Sequence, residues 1–247
     1  MRHADNFEME VTREAVCDLG SYRQLNESRD GFQHAFARLL LSEPALRGRV
    51  LDVGCGPGLM SALQPLTGIC RQLDGVDPST DALRHPDLTE RWQAPFESAP
   101  IPSAAYDAAF AYNVVEHIAD PRSFIRTVHR VLRPGGVFWA LTPHGRHPFC
   151  KLSRVVELLG AKWVARRKNE GINHYSAYYR LNRASQVVRL AKEFSFASAR
   201  FCYMPNMQWD TYFPQILRWA PHLYDWALGT RWRPFTLILA YRLQRGE

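Results

Sequence analysis

The sequence predicts an α/β fold, a mostly parallel sheet with helices on both faces, and three observations carry the prediction. Short apolar, strand-like runs alternate with stretches of helical period through most of the chain. One such run, residues 50–53, exits into a loop with glycines at 54, 56 and 58, where a ligand could approach bare backbone. The next run closes on Asp77, and open α/β sheets bind ligands beyond the carboxyl ends of their strands.

The elements follow in chain order. Phe32, Ala35, Phe36, Leu39 and Leu40 recur at helical spacing up to Pro44 and predict a helix covering the sheet. Residues 50–53 form the first strand, Asp52 being polar among β-branched and aliphatic neighbours. Leu59, Met60, Ala62, Leu63 and Leu66 then predict a helix whose free N–H groups face the glycine loop. Residues 72–76 are the second strand; Pro78 turns the chain and Ser79 caps the following helix. Residues 91–94 and 108–112 supply the third and fourth strands. Asp120-Pro121 starts a helix with Phe124, Ile125, Val128, Val131 and Leu132 along one side. The stretch LRPGG, residues 132–136, stops it with a glycine turn before a fifth strand at 137–141. Asn182 is expected to cap a helix running to Phe194, with a sixth strand at 199–203 and a seventh at 235–243. The chain reads as one domain over 1–247, with a core at 29–142 and excursions at 143–180 and 204–234 that wall a substrate pocket.

The glycine spacing narrows the ligand. A dinucleotide loop wants a third small residue in G-x-G-x-x-G, but counting from Gly54 that place holds Leu59, and the third glycine comes early, at Gly58. The stretch VLDVGCGPG, residues 50–58, resembles the first motif of class I S-adenosylmethionine-dependent methyltransferases nearly letter for letter. NVVEHIADP, residues 113–121, and LRPGG resemble the same family, in the style of its ubiquinone-biosynthesis and other small-molecule enzymes. The resemblance is strong over residues 49–142 and thins beyond. It implies a Rossmann-like seven-stranded sheet closed by an antiparallel strand, with S-adenosylmethionine as cofactor. It also implies cofactor contacts from Asp52, Gly54, Cys55, Gly56, Gly58, Asp77, Pro78, Phe96 and Asn113. Asp77 would accept both ribose hydroxyl protons. Pro95 stands where the family carries an acid for the adenine amino group, so Phe96 and Glu97 are left to read that base. An NAD-dependent oxidoreductase and a non-catalytic binding protein of the same fold are the alternatives.

A methyl sulfonium is already activated, so alignment and exclusion of water are the main requirements. O-methylation of a small or lipid-like acceptor is the expected reaction, and a base would come from His144 or His174, the histidines best placed by topology. Glu116 and His117 are metal-ligand types beside Asp120, but they read as a hydrogen-bonded helix start, and no metal is expected. Five cysteines lie singly, without C-x-x-C spacing, which argues against a disulfide framework or a zinc site. The polar N-terminus and the lack of a membrane-length apolar run predict a cytoplasmic protein.

Charge is unevenly spread. Residues 1–145 hold 14 Lys+Arg against 18 Asp+Glu, whereas residues 146–247 hold 17 against 6. Eleven Phe, Tyr and Trp fall between Phe201 and Tyr241. No nucleic acid is expected; Trp209, Tyr212, Phe213, Ile216, Leu217 and Trp219 with nearby arginines read as peripheral membrane contact or as the roof of an apolar pocket.

Overall fold

A computed structural model describes residues 8–11, 31–148, 150–151, 176–204, 216, 219–224, 227 and 238–247. Its strands are β1 (Glu8–Val11), β2 (Arg49–Val53), β3 (Gln72–Asp77), β4 (Arg91–Gln93), β5 (Tyr106–Tyr112), β6 (Leu132–Pro143), β7 (Phe196–Met204) and β8 (Ile238–Arg245). Its α-helices are α1 (Gly31–Leu41), α2 (Leu66–Ile69), α3 (Pro121–Val131), α4 (Ala184–Glu193) and α5 (Trp219–Tyr224). The strands form one sheet in the order β1-β7-β8-β6-β5-β2-β3-β4. Every described pairing is parallel except those of β8, which runs antiparallel between β6 and β7.

Burial on both faces explains why β2 and β5 read as nearly continuous apolar runs. Phe124, Val128, Val187 and Leu190 carry α3 and α4 onto one face. Phe36 and Leu40 of α1, with Leu63 and Leu66, cover the other. Asp120 caps α3 as its sequence predicts, accepting from the N–H groups of Arg122 and Ser123.

All seven predicted strands form, but four expectations change. An eighth strand, β1, adds in parallel to the edge of β7. The helix expected from Leu59 is replaced by a 3-10 turn, Ser61–Leu63, and the single turn α2, because Pro65 withdraws a backbone donor in mid-course. The expected glycine turn of LRPGG lies inside β6, where the register against β5 shifts and Gly135 takes φ +75°. Asn182 does not cap α4, which begins after Arg183. Asn182 is fully buried and donates through Nδ2 to Thr142 Oγ1 at 2.5 Å and to the Pro143 carbonyl at 2.8 Å, pinning the entry to α4 against the end of β6.

The strand order reverses beside β2: the chain goes outward to β3 and β4, then returns to β5 on the other side. That switch point opens a crevice at the carboxyl ends of β2, β3 and β5.

Candidate active site

A cavity of about 380 Å³ fills that crevice. Gly54 at the end of β2, Asp77 and Pro78 at the end of β3, Phe96 after β4 and Asn113 at the end of β5 all line it. Five of the residues singled out in the sequence are thus brought together from four separate stretches of chain.

Asp77 is tied to the glycine loop. Its Oδ2 accepts from the Gly56 N–H at 3.0 Å and its Oδ1 from the Ser79 N–H at 2.8 Å. Each oxygen keeps a further lone-pair site, so the carboxylate can still accept from a diol in the cavity. The loop needs its glycines for different reasons. Gly54 has φ +77°, and a Cβ there would stand 2.3 Å from Val114 Cγ2. Gly56 has φ +53°, but a Cβ there would meet nothing within 4 Å. Asn113 also adopts a left-handed φ, +53°, with its N–H on the Leu141 carbonyl at 2.9 Å. Asn tolerates that conformation better than most residues, a signal the NVVEH stretch already held.

Other expected contacts lie elsewhere. Cys55 does not line the cavity: its side chain is buried in the core against Gly75, where a Cβ would come within 2.8 Å of its Sγ, and burial pushes its thiol up. Asp52 is buried behind the cavity, where burial and then the neighbouring Asp77 push its carboxyl up to about 8. Gly58 is exposed and outside the lining, with open space beside it.

His144 does not line the cavity either. It is buried against Tyr203, ring centroids 5.3 Å apart, and next to His147, which burial and then His144 push down to about 4. His174 lies outside the described residues. Among the described residues the histidine that lines the cavity is His117, whose Nδ1 donates to the Ser176 carbonyl at 3.2 Å when it carries the proton. Glu116 points away into a buried polar cluster, accepting from Thr142 Oγ1 at 3.0 Å, and burial pushes its carboxyl up to about 7. Tyr112, Val114 and Ile118 complete an apolar wall that sequence spacing did not reveal, since only the fold brings them beside Phe96 and Phe124.

Comparison with known proteins falls on the same region. Residues 51–140 match the family described as a methyltransferase domain. A ubiquinone biosynthesis O-methyltransferase of Methylobacterium sp. (strain 4-46) is 35% identical over 109 residues, covering 40% of this chain and 43% of that protein. Another, from Paraburkholderia phytofirmans, is 29% identical over 157 residues, covering 58% and 62%. The chain therefore spans about half the length of these relatives. Among solved structures, phosphoethanolamine N-methyltransferase 2 of Haemonchus contortus in complex with S-adenosyl-L-methionine superposes with a TM-score of 0.56 at 15% identity, covering 87% of this chain and 53% of that one, a likeness of fold. The family match runs from β2 into β6 and so contains the glycine loop, Asp77 and Asn113, and it is this segment that is similar to S-adenosylmethionine-dependent methyltransferases.

Proposed function

We propose that this chain binds S-adenosylmethionine in the switch-point cavity and transfers its methyl group to the oxygen of a small or lipid-like acceptor. The observation that carries the reading is Asp77, held by Gly56 and Ser79 at the cavity edge with acceptor capacity to spare. The cavity fits the cofactor: a carboxylate for the ribose, the Phe96 wall for adenine, and the left-handed turns at Gly54 and Asn113 for the methionine end. S-adenosylmethionine, when bound, supplies a methyl group on a positively charged sulfur. The protein's part is then to hold, orient and exclude water, for which the apolar wall of Val114, Ile118 and Phe124 serves. His117, on that wall with Nδ1 held by Ser176, is the histidine positioned to take the acceptor's hydroxyl proton on Nε2.

Oxygen as the methylated atom follows the names of the curated relatives. A lipid-like acceptor draws support from exposed apolar side chains around α5: Ile216 is 77%, Trp219 65% and Leu223 50% exposed. No described helix is long and apolar enough to cross a membrane.

Calorimetric titration with S-adenosylmethionine and with NAD tests the cofactor, and methyl-labelled cofactor with a catechol acceptor tests the reaction. Saturable binding of S-adenosylmethionine and an O-methylated product are expected. Binding of NAD in its place would overturn the reading.

A further inference from the structure

A second hollow, of about 530 Å³, lies at the opposite end of the sheet from the cofactor cavity. It opens beside the amino ends of β2, β3 and β5 and the glycine bulge of β6, and it is lined by Arg47, Arg71 and Arg133 with one acid, Asp107. We propose that this hollow is a binding site for a phosphate-bearing ligand, gripped by Arg47 and Arg71.

The hollow holds uncompensated positive charge. Asp107 is already engaged on both oxygens. Its Oδ1 takes Arg133 Nη1 at 2.6 Å and its Oδ2 takes the Arg49 N–H at 2.7 Å. Arg49 itself is turned away, its guanidinium on Asp74 at 2.7 Å and on Glu90 at 3.0 Å. Among the described residues Arg47 and Arg71 have no carboxylate partner, so the lining holds two cations that nothing in it neutralises. Glu247 approaches from the rim, its Oε1 3.8 Å from where a Gly135 side chain would begin, but it is exposed and can turn away.

Backbone bonds join the main chains of Arg47 and Arg71 at the wall of the hollow. The Arg71 N–H donates to the carbonyls of Arg47, at 3.3 Å, and of Gly48, at 3.0 Å, which locks the two residues side by side. Cations that line one hollow attract an anion into it, and guanidinium forks match the oxygens of a phosphate. The floor is bare backbone at Gly48, Gly135 and Gly136. The hollow is of the size of small-molecule sites, roughly 300–1,000 Å³, and so has room for a phosphate ester and not only a free ion. Since β2 separates it from the glycine loop by about 15 Å, the two sites do not compete for space.

The test is calorimetric titration of the full chain with inorganic pyrophosphate at low salt, wild type against Arg47→Gln/Arg71→Gln. Both side chains are exposed, so the variant should fold, which its melting curve and unchanged S-adenosylmethionine affinity would check. Saturable binding by wild type and at least about tenfold weaker binding by the variant are expected. No saturable binding by wild type, or equal affinity in both proteins, would overturn the site. Sedimentation with phosphatidylcholine vesicles, with and without phosphatidic acid, then separates the sources once the pyrophosphate difference is in hand. Phosphatidic-acid-dependent binding that the variant loses supports the site with a lipid headgroup as its ligand. Vesicle behaviour identical in the two proteins supports it with a soluble phosphate ester.

Discussion

Asp74 and Asp77 lie on the same strand, β3, and illustrate what separates a saturated carboxylate from one with acceptor capacity to spare. Asp74 is fully buried near the amino end. Its Oδ2 accepts from Arg49 Nε at 2.7 Å and Tyr106 OH at 2.9 Å, and its Oδ1 from Gln72 Nε2 at 2.9 Å and the Glu90 N–H at 3.0 Å. Nothing is left over for a ligand. Asp77 is half-buried at the carboxyl end, with a single backbone N–H on each oxygen and a cavity in front. The same side chain thus stabilises the sheet at one end and waits for a partner at the other, and spare acceptor capacity is the difference.

The largest expected loss of stability falls at Asp74. Asp74→Ala leaves Arg49 and the Tyr106 hydroxyl without their buried acceptor and should cost about 3–5 kcal/mol of stability, read by denaturant unfolding. Cofactor affinity of the fraction that stays folded should not change. Asp77→Ala should do the reverse. S-adenosylmethionine affinity should fall by about 1.5–3 kcal/mol, roughly ten- to 150-fold by calorimetry, while the melting temperature moves little. Unchanged affinity would remove Asp77 from the site.

The glycine loop sharpens the same distinction at smaller cost. Gly54→Ala collides with Val114 in a left-handed conformation and should lower stability by about 2 kcal/mol or more. Gly56→Ala meets open space and should cost only the conformational strain, about 1 kcal/mol, with its effect falling mainly on cofactor binding. Thermal melts with and without S-adenosylmethionine separate the two variants; equal loss of stability in both would refute the assignment.

The remaining effect is read as a slope against pH. Asp52 and Glu116 hold protons in the folded state up to about pH 8 and 7, whereas in the unfolded chain both ionise in the ordinary carboxyl range. The folded state therefore binds more protons across that window, and stability falls as pH rises through it, levelling off above the folded pKa values. Each group contributes at most about 1.4 kcal/mol per pH unit. Asp52→Asn should flatten the slope, measured as unfolding free energy from pH 5 to about pH 8. A slope unchanged by that substitution would mean that Asp52 is ionised in the folded protein.

Much of this was legible beforehand where a signal is local. The exit of β2 into three closely spaced glycines, the Asp120-Pro121 helix start and the acid at the end of β3 each depend on neighbours in sequence. The misreadings share the opposite property. Leu59 to Leu66 has helical period, but Pro65 decided the matter. Asn182 has the chemistry of a cap, yet Thr142 and Pro143 across the fold claimed its amide. His144 follows directly on β6, but whether a residue there faces the cavity or Tyr203 depends on how the chain packs on β7.

The alternation of strand and helix, the glycine loop and the acid at the end of β3 are local features, because periodicity, turn chemistry and capping act over a few residues. Which carboxylate is saturated, which described histidine lines the cavity and the convergence of Arg47, Arg71 and Arg133 at the far end of the sheet follow from the assembled fold. Those outcomes rest on contacts between residues remote in the chain, and hydrogen-bond saturation, desolvation and charge balance are properties of the assembled neighbourhood rather than of any one residue.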